Sequence, residues 1–327
     1  MSISRTIPAP GVAGVDTALA AQIDATVEEW IAANEVPSAS IAIVRDGKLA
    51  HARAYGAARL SPHVAATTST RYPIYSIAKQ FTAAAILVLA EDERLGLDDR
   101  AGKHLAGLGP AADVTLRQLL THTGGVVDYW TQDYVPLHMQ RPATRQDIIC
   151  EWAHRPLEFA PGSHWQYSNT GYVILGAIIE RLAGKSLYAF LEERVFAPLD
   201  MRRVTECDSA PLDGKDAAGY TRVVEGPLRL APREARGWLF AACDLVMTPT
   251  ELAKWNVALL DRSILAPDLL AQALSPVVLS NGRLTGYGFG VVIDQVAGRR
   301  RIGHDGIGSG FLTENRIWPR TARRSLS

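Results

Sequence analysis

The chain has 327 residues, 47% of them hydrophobic, and its 34 basic and 34 acidic side chains cancel. That length supports one large or two intermingled domains around a sizeable core. Zero net charge excludes the long-range field by which nucleic acid or an anionic membrane surface is recognised, and leaves a small, largely neutral molecule as the fitting partner. The three cysteines, Cys150, Cys207 and Cys243, are far apart with no C-x-x-C pair. A disulfide framework and a zinc site are therefore not expected, and no metal or cofactor is assigned.

In chain order, Asp16 to Ala33 carries Leu19, Ile23, Val27, Trp30 and Ile31 at helical spacing and predicts an amphipathic helix. Ser38 to Arg45 and Lys48 to Tyr55 predict two strands joined by an Asp46-Gly47 hairpin. Tyr72 to Leu95 predicts a helix that starts near Ser76 and is apolar all the way round, the pattern of a helix buried in a core. Further helices are expected over Thr115 to Thr121, Arg145 to Trp152, Thr170 to Ala183, Leu187 to Val195, Thr250 to Leu260 and Pro267 to Ala273. Strands return over Tyr287 to Asp294, Arg300 to Asp305 and Phe311 to Trp318, with Gly298 in the first connecting turn. Strands at both ends with helices between them predict an α+β fold: an antiparallel sheet domain from 1–66 with 285–327, a mainly helical domain over 67–284, and a binding cleft between them.

Three stretches carry candidate chemistry. Ser76 and Lys79 stand three apart in the first turn of the apolar helix, on one face. A lysine there is poorly placed for stability, because it meets the positive end of the helix dipole and a desolvating surround. Both influences lower its pKa, which is what a lysine acting as a base requires. The plain alternative is a capping serine and a lysine that snorkels to solvent. Tyr167-Ser168-Asn169 runs into a second apolar helix ending at Gly184, where Asn169 can cap the helix and Tyr167 can be a core aromatic. His304-Asp305-Gly306-Ile307 is a strand followed by glycines, which suits a hairpin turn or a close backbone approach to a ligand. No glycine-rich nucleotide loop and no G-x-S-x-G elbow is present. His122, without a second ligand at i+2 or i+4, is read as structural.

In order, Ser76-x-x-Lys79, Tyr167-x-Asn169 and His304-x-Gly306 resemble the motifs of the serine β-lactamase and penicillin-binding protein superfamily, in its class C-like branch of family VIII carboxylesterases, D-aminopeptidases and D-alanyl-D-alanine carboxypeptidases. The stretches from Val36 to Gly47, Val114 to Gly125 and Phe159 to Tyr172 support the likeness, which spans about residues 16 to 318. The resemblance implies a β-lactamase/transpeptidase-like fold and an acyl-enzyme on Ser76. Lys79 and Tyr167 would form its base system. Asn169 would position Lys79 and a substrate carbonyl, and the N–H groups of Ser76 and Ile307, beside Gly306, would form the oxyanion hole. His304 stands where the family places a lysine. A group mostly neutral above about pH 6.5 suits a neutral ester better than a carboxylate-bearing β-lactam, so a carboxylesterase on small esters is expected, with weak β-lactam or D-amino-acid amide hydrolysis beside it.

Few residues follow Gly306, and the end after Trp318-Pro319 reads as cut short. Two strand edges are therefore expected to lack partners. The competing expectation is a non-catalytic member of the fold that binds peptidoglycan-like or acyl ligands. The first residues show no apolar leader segment and no stretch is long enough to span a membrane, so the default location is cytoplasmic, or periplasmic or secreted if a leader precedes them. Oligomeric state is left open.

Overall fold

The computed structural model describes residues 15–132, 134–208, 216–224 and 226–319. The N-terminal stretch read as lacking a leader and the tail after Pro319 lie outside the described residues. Helix α1, Thr17–Asn34, is capped by the Asp16 carboxylate accepting from Leu19 N at 2.8 Å. It leads into β1, Ser38–Arg45, and β2, Lys48–Arg59, which pair antiparallel about the Asp46-Gly47 turn. Both turn residues have positive φ, at 53° and 74°, the backbone that a two-residue hairpin demands. A short β3, Val64–Ala65, closes this sheet in the order β1-β2-β3.

After β4, Tyr72–Pro73, a 3₁₀ turn over Tyr75–Ala78 precedes α2, Lys79–Glu91. The expected helix start thus separates into two parts. Ser76 sits on the tighter turn, makes no capping bond, and Lys79 opens the α-helix proper. Every α2 residue from Lys79 to Leu89 is buried, and Phe81 packs between Phe196 and Trp255 with ring centroids 5.5 and 4.7 Å away.

The helical middle is built from α3, Ala101–His104; α4, Leu116–Leu120; α5, Arg145–Ile148; α6, Asn169–Ala183; and α7, Leu187–Leu191. The latter part of the predicted Arg145–Trp152 helix is a π-helical turn over Ile149–Ala153, and that of Leu187–Val195 another over Glu192–Phe196. Helix α6 is capped by Ser168, not by Asn169, and ends at Gly184 with φ 67°. Short strands β5, Tyr220–Thr221, β6, Arg229–Leu230, and β7, Val246–Met247, follow; β7 pairs with β4. Then come α8, Pro249–Asp261, started by the Thr248 cap and Pro249, and α9, Pro267–Ala273.

Strands β8, Val292–Val296, β9, Arg299–Gly308, and β10, Phe311–Ile317, form a second antiparallel sheet in the order β10-β9-β8. The predicted first strand starts five residues late: Tyr287 makes only an isolated bridge to Val292, because Gly288 and Gly290 lie against the Ala273 and Lys79 backbones instead of a neighbouring strand. The glycines after His304 are strand residues; the turn itself is Ser309-Gly310. The strands of the two chain ends thus stand as two three-stranded halves, with β1 and β10 each at the end of its sheet's order. No helix among the described residues is long and apolar enough to cross a membrane.

One buried acid sets a pH dependence of the fold. The Asp244 Oδ1 accepts from Cys207 N at 2.6 Å and Asp208 N at 3.2 Å. Burial, reinforced by Asp208 and Glu206, pushes Asp244 up to about 8. The native state therefore retains a proton that the unfolded chain, with an aspartate near 3.9, gives up, so stability falls as pH rises from about 4 to about 8 and is level above. Asp244→Asn keeps the accepting oxygen and removes the titration. Thermal melts should show the variant more stable than the parent by a few degrees at about pH 8 and the two coinciding at about pH 4.

Candidate active site

The site is organised by one buried amine. Lys79 is fully buried, and its Nζ lies 2.8 Å from Asn169 Oδ1, 3.0 Å from the Ala242 carbonyl and 3.2 Å from Ser76 Oγ. It also faces the rings of Tyr167 and Tyr172, at 4.7 and 5.5 Å from their centroids. Burial lowers the Lys79 pKa, while the Cys243 thiol and Asp128 oppose the shift. Asn169 Oδ1 and the Ala242 carbonyl can only accept hydrogen bonds. A neutral amine has two N–H bonds and one lone pair; those two acceptors take the N–H bonds and leave the lone pair facing the Ser76 hydroxyl.

Asn169 is itself held from behind. Its backbone N donates to Asp128 Oδ1 at 2.9 Å and its Nδ2 to Oδ2 at 3.1 Å, which fixes the amide with its oxygen toward Lys79. Because Ser168 caps α6 by accepting from Gly171 N, Asn169 is free for this task. Burial pushes Asp128 up to about 6, against the hydrogen bonds from the Asn169 and Trp130 N–H groups.

Tyr167 is brought to the same place. Its hydroxyl is buried, lies near enough to Ser76 for that hydroxyl to oppose its upward shift, and has no partner in hydrogen-bond geometry. Burial pushes the phenol well above its ordinary value, so it holds its proton.

His304, from β9, faces Tyr167 with 6.0 Å between ring centroids. A chain of hydrogen bonds defines its protonation. The Ser168 N–H donates to His122 Nδ1 at 3.1 Å, so His122 carries its proton on Nε2, which lies 3.2 Å from Tyr287 Oη. Tyr287 in turn donates to His304 Nε2 at 2.8 Å, and His304 Nδ1–H donates to the Asp305 carbonyl at 2.6 Å. Each ring therefore has one donor and one acceptor committed. Burial first, then the Lys79 charge, pushes His304 down to about 4, so it is neutral at physiological pH.

Gly306 and Ile307 bring β9 against the 3₁₀ turn. A Cβ on Gly306 would stand 2.1 Å from the Ile74 carbonyl oxygen, and one on Gly308 2.2 Å from the Tyr75 ring, so only glycine allows this approach. The β9–β10 hairpin is closed by Ser309 and Gly310, both at positive φ, which makes Gly308 and Phe311 the hydrogen-bonded pair. Alternation then turns the Ile307 N–H and C=O away from β10.

The seven predicted site residues come from the 3₁₀ turn, the loop before α6, two helix starts and one strand, and the structure adds groups that sequence reasoning missed. Asp128 and Tyr287 carry the hydrogen bonds that orient Asn169 and His304. Cys243 Sγ lies 3.7 Å from Ser76 Oγ and 3.9 Å from Lys79 Nζ. His122, read as a framework residue, packs its ring 4.2 Å from that of Tyr167. Their only sequence signals were a Thr-His-Thr-Gly-Gly turn and an aspartate three residues beyond it.

Residues 23–321 match the Beta-lactamase family, and the chain belongs to it. It is a member of a β-lactamase-fold serine hydrolase family. Among curated relatives it is 30% identical over 282 residues to penicillin-binding protein 4* of Bacillus subtilis, covering 82% of this chain and 62% of that one. It is 30% identical over 276 residues to the D-aminopeptidase of Brucella ovis, covering 83% of this chain and 52% of that one. The chain therefore spans only 62% and 52% of these two relatives' lengths. Among solved structures, the D-stereospecific amidohydrolase of a Streptomyces species superposes with a TM-score of 0.75 at 26% identity, over 89% of this chain and 88% of that one.

The hydrogen-bond chain through Tyr287 yields a prediction. Tyr287→Phe leaves His304 Nε2 and the His122 Nε2–H without partners, so the fold should lose about 1–3 kcal/mol. Nitrogen NMR of the imidazoles should show a single His304 tautomer, protonated at Nδ1, in the parent and a mixture in the variant.

Proposed function

We propose that this protein is a serine hydrolase that forms an acyl-enzyme on Ser76 and acts as a carboxylesterase on small neutral esters. The observation that carries this reading is the buried Lys79 Nζ 3.2 Å from Ser76 Oγ, with the acceptors Asn169 Oδ1 and the Ala242 carbonyl beside it, so that a neutral Lys79 turns its lone pair to the Ser76 hydroxyl. Ser76 gives its proton to Lys79 as Oγ attacks the ester carbonyl, and the oxyanion is received by the Ser76 and Ile307 N–H groups. Tyr167, a neutral phenol, relays a proton from Lys79 to the departing alkoxide, and water then hydrolyses the acyl-enzyme by the same groups in reverse. Asn169 orients both Lys79 and the substrate carbonyl. The substrate lies in a cleft between the strand-rich part formed by 1–66 with 285–327 and the helical part over 67–284.

A neutral His304 supports the choice of substrate, since it offers no fixed cation to a β-lactam or peptide carboxylate. A second reading, hydrolysis of D-amino-acid amides, is favoured by the relatives named as a D-aminopeptidase and a D-stereospecific amidohydrolase. A fluorophosphonate probe should label the protein stoichiometrically, Ser76→Ala should abolish labelling, and Lys79→Ala should slow it by about 10²–10⁴. No labelling of the folded protein would leave only a non-catalytic ligand-binding member of the fold.

A panel of short-chain esters, D-amino-acid amides and a chromogenic cephalosporin separates the substrates. Esters should give the highest kcat/KM, and D-amides in that place would establish the second reading. The cephalosporin in first place would contradict the inference from His304. His304→Lys, by adding a cation, should move the preference toward the cephalosporin by about tenfold.

A further inference from the structure

In the function proposed above, Tyr167 returns a proton to the departing alcohol, so that alcohol's oxygen lies within hydrogen-bond reach of Tyr167 Oη. The group attached to that oxygen therefore runs beside Tyr167. It runs outward, because Lys79, Asn169 and Cys243 on the inner side are buried. What it meets there is set by the backbone just before α6.

That stretch is anchored along one edge. The Gln166 N–H donates to the His122 carbonyl at 3.0 Å and the Ser168 N–H to His122 Nδ1 at 3.1 Å. Ser168 is extended, with φ −145° and ψ 113°, and in an extended run alternate side chains share a face. Gln166 turns to one side, where it donates to Glu158, while Trp165 and Tyr167 turn to the other and lie on the same two rings. His122 is 6.1 Å from Trp165 and 4.2 Å from Tyr167, centroid to centroid, and Tyr287 is 5.8 and 6.5 Å from them. His304 closes the β9 side, 6.0 Å from Tyr167 and 5.7 Å from Tyr287. Of these five rings His122, Tyr287 and His304 are buried and Tyr167 is half-buried, whereas Trp165 is 40% exposed. The indole is thus the outer, solvent-facing end of an aromatic bed whose inner end is the Tyr167 phenol.

This bed carries no charge. Burial holds both imidazoles neutral and both phenols protonated. A charged or strongly hydrated alcohol would give up water here without gaining a partner. A flat apolar ring gains face and edge contacts with the indole instead.

We propose that Trp165 is a specificity-determining residue, the platform for the departing group, and that the preferred esters are those of small alcohols bearing an aromatic ring. The assignment rests on the function proposed above and adds to it the class of alcohol. Acylation joins Ser76 Oγ to the acyl carbon and breaks the bond from that carbon to the alcohol oxygen, which leaves with the proton that Tyr167 supplies. Every acetate ester gives the same acetyl-enzyme, so the preference belongs to acylation and appears in kcat/KM, not in the hydrolysis that follows.

Two pairs of esters test this. 2-Phenylethyl acetate and butyl acetate release alcohols of like acidity that differ in the ring; methyl 3-phenylpropanoate and methyl pentanoate carry the same difference on the acyl side. The parent should favour 2-phenylethyl acetate over butyl acetate by about tenfold in kcat/KM. Trp165→Ala should bring that ratio to about one, Trp165→Phe should keep most of it, and the acyl-side ratio should be the same in all three proteins. A leaving-side ratio that Trp165→Ala leaves unchanged overturns the assignment, and so does loss of the acyl-side ratio in its place. Binding of 2-phenylethanol to Ser76→Ala reads the platform without turnover, by nitrogen NMR of the indoles with the Trp165 signal identified by its absence from Trp165→Phe. A saturable shift of that signal supports the platform even where no ester is hydrolysed, in which case only the function proposed above fails. Binding that leaves the signal unmoved, or no binding at millimolar alcohol, overturns the platform itself.

Discussion

The structure depends on the burial of one amine. Lys79 lies at the start of a helix with no exposed residue before Ala90, and nothing in its surround is an anion in direct contact. Its neighbours are an amide oxygen, a peptide carbonyl, a hydroxyl, a thiol and two aromatic faces. Such a cage hydrogen-bonds the amine without pairing it, so the cost of desolvating the charge is not recovered and the neutral form gains. Asp128, the nearest acid named in its electrostatics, stands behind Asn169 and is itself pushed upward by burial. The acid orients the amide without pinning a proton on the lysine.

The opposite wall follows the same economy of charge. His304, His122 and Tyr287 share hydrogen bonds whose donors and acceptors are all satisfied with both imidazoles neutral. Burial keeps His304 in this neutral form. A neutral imidazole on β9 distinguishes this site from one built around a fixed lysine charge.

Much of this was legible in the sequence because it rests on local pattern. Apolar residues all round α2, the Asp46-Gly47 turn, the Gly184 helix end and the order of three motifs each carry their signal in a few neighbouring residues. What was not legible depends on residues far apart in the chain. Tyr287 lies in a glycine-rich run that reads as strand, and only the close approach of Gly288 to Ala273 and Gly290 to Lys79 shows why it turns. Asn169 reads locally as a possible helix cap, a bond that Ser168 makes instead, and only the resemblance placed its amide beside Lys79. Cys243 gave no signal at all, since its place beside Ser76 is set by packing across the core.

The central claim, that burial makes Lys79 the base for Ser76, is tested most directly by titrating the lysine itself. NMR of protein carrying carbon-13 at lysine Cε, assigned with a Lys79→Arg variant, reports its pKa, and the pH dependence of fluorophosphonate labelling reports the group that activates Ser76. The account predicts that Lys79 titrates below the ordinary lysine value of about 10.4 and that labelling rises with pH through the same midpoint. A Lys79 that titrates at or above that value, or a labelling rate indifferent to its ionisation, would contradict it.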